Sequence, residues 1–467
     1  MITNEELLYK KKFIWEKLSE NEKEKVFQLG DDYKSFIDAS KTERLSIKEI
    51  VRRAEEQGFK PLDEIKHIKP GTKVYFVNKG KSAVLAVIGK EKIENGMNIV
   101  GSHVDSPRID LKQNPLYEEH GISLLKTHYY GGIRKYQWVA IPLALYGTVV
   151  KANGEIVNIA IGDDEKDPVF YITDLLPHLA KDQNEKKLSE AIEGEGLNVI
   201  IGSLPTDGKD DEKKFKLNVL KILNEKYGMV EEDFQTAELE IVPAGRARDV
   251  GLDRGMISAY GHDDRVCAYT SLKAIFEVEN IDRTALAVFS DKEEVGSNGN
   301  TGMHSEFFNN MVAEMIMIEN GGSYSDISLK RALANSSMLS SDVAAGVDPT
   351  YLQVSELQNA AVMGQGVAMI KYTGSRGKSG ANDANAEYIG KIRKIFNENN
   401  ITWQPAELGK VDQGGGGTIA YIMANLNMDV VDLGVPVLSM HAPFELVSKT
   451  DVYMTYKAYK AFYNNYN

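Results

Sequence analysis

The chain has 467 residues, 42% of them hydrophobic, and a formal net charge of −13. That length exceeds what one ordinary core organises, so two domains are expected. The acidic balance argues against nucleic-acid binding as a main role, and a single cysteine excludes a disulfide framework and suits a reducing compartment.

In chain order, residues 1–60 read as mostly helical. The opening stretch MITNEELLYKKKFIWEKLSENEKEKV is charged and amphipathic and lacks the apolar core of a signal peptide. No run of about 18 apolar residues occurs anywhere. A cytoplasmic location without membrane contact is the expectation. Residues 73–76, 82–88 and 98–103 carry strand character. From about residue 112 the texture changes. Asn153-Gly154 between two β-prone runs signals a hairpin, residues 182–236 are highly charged, and 238–242 returns to strand character. From Asp253 helices and strands alternate again. The expected layout is a discontinuous α/β catalytic domain, 1–111 and 251–467, with a β-rich domain inserted at 112–250. Insertion separates His103 from Asp263 in sequence and leaves them free to meet in space.

The chemistry sits at predicted strand ends. The apolar run 284–289 is followed by Ser290-Asp291-Lys292-Glu293-Glu294-Val295-Gly296. Open α/β sheets bind ligands at the C-terminal edge of their strands, and neighbouring side chains leaving a strand point in different directions. One glutamate can then hold a metal while the other faces the attacking water. A second apolar strand ends in His103-Val104-Asp105, where a carboxylate can fix the tautomer of a ligating imidazole. Gly261-His262-Asp263-Asp264-Arg265 opens a helix running to Glu277, and helix capping alone would account for its aspartates. Asp342 closes Ser340-Ser341-Asp342, and a strand through 435–438 runs on to His441. Two histidines and several carboxylates make a mixed N/O donor set. It suits Zn, Mn or Co better than Mg or Ca, and with a bridging carboxylate it suffices for two ions.

SHVDSPRID, GHDDRV, SDKEEVG, SSD and MHAPFE, in this order and at these separations, resemble the M18 family of metalloaminopeptidases, the aspartyl aminopeptidase family, in its bacterial type. The resemblance runs from about residue 10 to 465. It implies a mixed-sheet α/β/α metallopeptidase catalytic domain with an inserted β-rich dimerisation domain. It implies two divalent ions, zinc first with Co or Mn also fitting. The implied ligands are His103, Asp263 as the bridge, Glu294, Asp342 and His441. Glu293 is the implied general base and Asp105 the residue orienting His103. The choice of Asp263 over Asp264 rests on the family motif, and the residues alone leave it open.

The resemblance also matches His178 to a histidine that reaches into a neighbouring subunit's site, and Lys371 to a lysine facing an acidic P1 side chain. It implies a dimer-based dodecamer acting on peptides with a free N-terminus. Where eukaryotic acid-specific members carry histidines, this chain has Ala345 and Asp348. A preference for neutral Leu or Met therefore stands beside an acidic one. A related metal amidohydrolase or deacylase and a non-catalytic scaffold are the other readings. Ser375-Arg376-Gly377-Lys378-Ser379-Gly380 fails as a P-loop because position 372, where the leading glycine belongs, is Tyr372. Gly414-Gly415-Gly416-Gly417 is either a substrate-approaching backbone loop or a plain connector. Cys267 reads as a core thiol.

Overall fold

The computed structural model describes residues 7–9, 12–208 and 212–467. The start of the amphipathic opening stretch and part of the charged run near 210 lie outside the described residues. The chain divides into two compact units. One holds the residues up to Asp105, Ala247–Met440 and Glu445–Asn467, and the other holds Ser106–Arg246 and His441–Phe444. The first joint falls before the strand Arg108–Glu119 because every pairing of that strand lies within the second unit's sheet.

The first unit is built on a nine-stranded mixed sheet. Its centre is four parallel strands, in the order Thr284–Ser290, Met97–His103, Ser337–Ser340 and Asp429–Gly434. Antiparallel neighbours flank them: Ser82–Val87 on one side and Val367–Ile370 on the other. These strands are apolar on both faces because both faces are covered, as parallel sheets require. Alternation sends Ala285, Ala287 and Phe289 into one cluster with Tyr33, Tyr269, Tyr388 and Tyr459, and sends Leu286 and Val288 into another with Phe308, Met311 and Met315. Helices on each face thus complete an α/β/α sandwich. Full burial of a side chain such as Phe289 contributes about 1.5–3 kcal/mol.

Among the described residues of the first 60, regular helix begins at Glu20. Ser19 and Glu22 form a reciprocal capping box that starts the helix there. A smaller five-stranded sheet joins Arg248–Val250, Met256–Ala259, Glu445–Ser448, Pro436–Leu438 and Ala344–Ala345.

The second unit is β-rich. Glu238–Pro243 pairs with both Arg108–Glu119 and Pro142–Val150, so its seven-stranded sheet closes on itself. Closure removes most edges that would otherwise be open to strand addition, with Ile156–Ile161 pairing with Pro142–Val150 alone among the described residues. The Asn153-Gly154 hairpin is present, joining Pro142–Val150 to Ile156–Ile161. The charged stretch 182–236 also holds the helix Lys214–Tyr227, which buries Val219 and Leu223. Among the described residues no helix is long and apolar enough to cross a membrane.

Candidate metal centre at the C-terminal edge of the sheet

Register builds the site in the first unit. His103 and Ser290 are the last residues of adjacent parallel strands and are paired Cα to Cα, so the turns that follow them meet. Ser340, paired with Gly101 on the other side, brings Asp342 to the same edge. Asp342 can sit there because position 434 is glycine: a Cβ on Gly434 would collide with the Asp342 carbonyl. After Ser290 the backbone turns through Lys292 (φ 67°) into the short 3-10 turn Glu293–Val295, which ends at Gly296 (φ 91°).

His103 is 2% exposed. Its Nδ1 lies 3.0 Å from the Asp105 carbonyl oxygen and 3.3 Å from Asp105 Oδ1. Donation from Nδ1 leaves the Nε2 lone pair for a ligand. Around Nε2 stand Asp263 Oδ1 at 3.2 Å, Glu293 Oε2 at 3.9 Å and Asp342 Oδ1 at 3.9 Å. One donor atom each from His103, Asp263 and Asp342 lies within 4.8 Å of the others, and a Glu294 carboxylate oxygen comes within the same distance of Asp263.

Asp105 does more than orient the imidazole. Its Oδ1 accepts the Glu293 N–H and its Oδ2 the Glu294 N–H, each at 3.2 Å. One carboxylate thereby holds both glutamates and the histidine. Asp264, wholly buried, accepts the His103 backbone N–H at 3.2 Å through Oδ2. Glu445 accepts the Asp263 N–H at 3.0 Å. The backbone at Asp263 and Asp264 is not helical, so neither is a simple first-turn cap. His262 faces inward: Tyr33 Oη stands 2.6 Å from its Nδ1 and the Ile257 carbonyl 3.1 Å from its Nε2, and burial pushes its pKa down to about 3.

Electrostatically the cluster is crowded with anions. Burial, and then the charge of its carboxylate neighbours, raises Asp264 and Asp342 well above the usual carboxyl range. Burial opposes a charged His103, yet its bonds to Asp105 and Asp263 and the charge of Glu293 hold it well above an ordinary imidazole.

Known proteins resemble this chain over nearly its whole length. Residues 36–463 match the family model described as aminopeptidase I zinc metalloprotease (M18). The chain belongs to the M18 aminopeptidase family. A probable M18 family aminopeptidase 1 from Clostridium acetobutylicum is 53% identical over 98% of this chain and 99% of its own. The crystal structure of aminopeptidase I from that organism superposes with a TM-score of 0.92 at 50% identity, over 98% of this chain and all of that one. An M18 aminopeptidase crystal structure from Thermotoga maritima gives a TM-score of 0.94 at 45% identity, with the same coverage. At 21% identity, the Saccharomyces cerevisiae mApe1 dodecamer shares the fold, with a TM-score of 0.74.

This M18 aminopeptidase is therefore a metal-dependent hydrolase. Its donor set fits zinc: a buried imidazole presents Nε2 to carboxylates that mutually oppose ionisation and that a divalent cation would reconcile. His103, Asp105, Asp263, Glu293, Glu294 and Asp342 come together in the first unit. His441 belongs to the segment grouped with the second unit, where Gly132 O stands 2.8 Å from its Nδ1. The strand expected to run to it spans only Pro436–Leu438. His178 lies exposed in the turn Pro177–Leu179 of the second unit. Lys371 sits one residue past Val367–Ile370, with Nζ 4.0 Å from Asp383 Oδ1. Sequence reasoning missed the roles of Asp264 and Glu445, although both lie in motifs it singled out, GHDDRV and MHAPFE.

Proposed function

We propose that the enzyme removes N-terminal residues from peptides at a two-ion centre, with zinc as the natural metal and Co or Mn also accommodated. The observation that carries this is the convergence of Asp263, Glu293 and Asp342 on His103 Nε2 while Asp105 holds Nδ1. His103 and Asp342 would hold one ion, Glu294 would hold the second, and Asp263 would be shared between them. His441 is carried over as a further ligand from the sequence motif alone. Bound divalent ions supply a lowered water pKa and polarisation of the scissile carbonyl.

The protein's own groups do the rest. Glu293 takes the proton of the attacking water and returns it to the leaving amine. Asp105 holds the Glu293 and Glu294 amides, so the base and its neighbour keep fixed positions when substrate enters. Carboxylates such as Glu293 and Asp342 are suited to the substrate's free α-ammonium. This separates an aminopeptidase from a deacylase, whose substrates have that amine blocked.

Two readings of P1 preference stand. Lys371 facing an acidic side chain favours Asp and Glu. A neutral preference for Leu or Met is favoured by Ala345 and Asp348, and by a Lys371 side chain that is 54% exposed and already near Asp383. For assembly, Leu175, Leu176 and Leu179 beside His178 are each at least half exposed. Such an apolar surface suits subunit contact, in a dimer-based dodecamer where His178 serves a neighbouring site. A fully active monomer by light scattering and assay would exclude that role.

The deciding experiment is Glu293→Gln. Turnover of free-amine peptides should fall by about 10²–10⁴-fold, the range for loss of a general acid–base, with metal content and assembly retained. Activity within a few-fold of the original with metal bound would remove Glu293 from the mechanism.

A further inference from the structure

Arg265 is 1% exposed, yet among the described residues no carboxylate lies within the 4.0 Å of an ion pair. Its Nε donates to the Val104 carbonyl at 3.1 Å, its guanidinium carbon stands 5.1 Å from the Tyr260 ring centroid, and its Nη1 is buried with no hydrogen-bond partner among the described residues. Arginine is seldom fully buried without a paired carboxylate, so a role beyond packing is called for.

Val104 is the middle residue of the turn that carries His103 and Asp105. Its N–H donates to Ser290 O at 2.9 Å, at the end of the strand that leads to the glutamate pair. Its carbonyl is held by Arg265, two residues after Asp263. The peptide joining Val104 to Asp105 is thus fixed by the segment that carries Asp263. From that peptide Asp105 departs to meet His103 Nδ1 and the amides of Glu293 and Glu294.

We propose that Arg265 is a positioning residue of the metal centre. It keeps the His103-Val104-Asp105 turn in register with Asp263 through its hydrogen bond to the Val104 carbonyl. This rests on the metal-centre reading above.

The test is zinc affinity of the full-length apo-protein, measured by titration against a competing chelator, for the original chain, Arg265→Lys and Arg265→Met. Methionine keeps length but removes charge and donors; lysine keeps charge but loses the planar fork. The expected result is zinc binding about 10–100-fold weaker in Arg265→Met, the range for lost supporting contacts around a ligand, with Arg265→Lys between. If the original chain takes up no zinc, the metal-centre reading falls and this inference with it. If it does and Arg265→Met binds within about threefold of it, the inference alone falls, even where the apo-protein's thermal stability drops. Should Arg265→Met fail to fold, Arg265→Lys decides: weaker zinc binding supports the role, and unchanged affinity overturns it.

Discussion

Asp105→Asn is the most revealing substitution at this centre. The carboxylate accepts two amides through two oxygens, Glu293 N–H on Oδ1 and Glu294 N–H on Oδ2, each at 3.2 Å. Asparagine has one oxygen and one NH₂ group, so whichever way it is placed one amide faces a donor. A buried N–H left without its acceptor costs about 1–3 kcal/mol. At 1.36 kcal/mol per factor of ten, that is a loss of about 5–150-fold when it falls on positioning of the reacting groups. The His103 Nδ1 contact to the Asp105 carbonyl oxygen, at 3.0 Å, survives the change, so metal should largely stay. We expect kcat to fall by about 10–100-fold, KM to move little, and bound zinc to remain. Asp105→Ala, which removes both acceptors, should be worse. Kinetics on a Leu-initiated peptide, with metal content measured on the same samples, is the assay. A kcat within twofold of the original, or equal losses in Asn and Ala variants, would refute the view that one carboxylate holds both glutamates.

Removing metal by chelation should lower the unfolding temperature, because a ligand present at about 1,000 times its Kd stabilises by about 4 kcal/mol; an unchanged midpoint would count against ligation by buried residues. Asp451 is fully buried and its pKa is pushed up to about 7 by burial, against the two amides, Gly364 and Gly366, that it accepts. The folded state therefore holds its proton more tightly than the unfolded chain. That contribution to stability is complete below about pH 4 and is lost as pH rises to about 7, by at most about 1.4 kcal/mol per pH unit. Urea midpoints of Asp451→Asn relative to the original chain should accordingly shift in favour of Asn between pH 5 and pH 8, and a shift the other way would contradict the assignment. Lys371→Met should cut kcat/KM on Asp-initiated peptides by about tenfold or more while sparing Leu-initiated ones if the acidic reading holds. Parallel changes on both substrates would favour the neutral reading.

The sequence by itself determined the kinds of groups and the edge they share. Apolar runs at 97–103 and 284–290 are strands because two-faced burial demands unbroken hydrophobicity. Polar chemistry must then begin where those runs stop, at His103 and at Glu293-Glu294. Family-specific motifs carried the assignment from there to an M18 aminopeptidase. Only the tertiary structure decided what holds these groups. Asp105 reaching the Glu293 amide spans 188 residues, and Asp264 or Arg265 reaching the His103-Val104 turn spans 161. No local periodicity encodes such pairs. They follow from strand register and from the placement of the His262–Phe276 helix against the sheet. The same reason explains why Asp264, read as a possible bridge or cap, supports the His103 backbone: a carboxylate's partner depends on backbone direction at one residue, which neighbouring residue types do not specify.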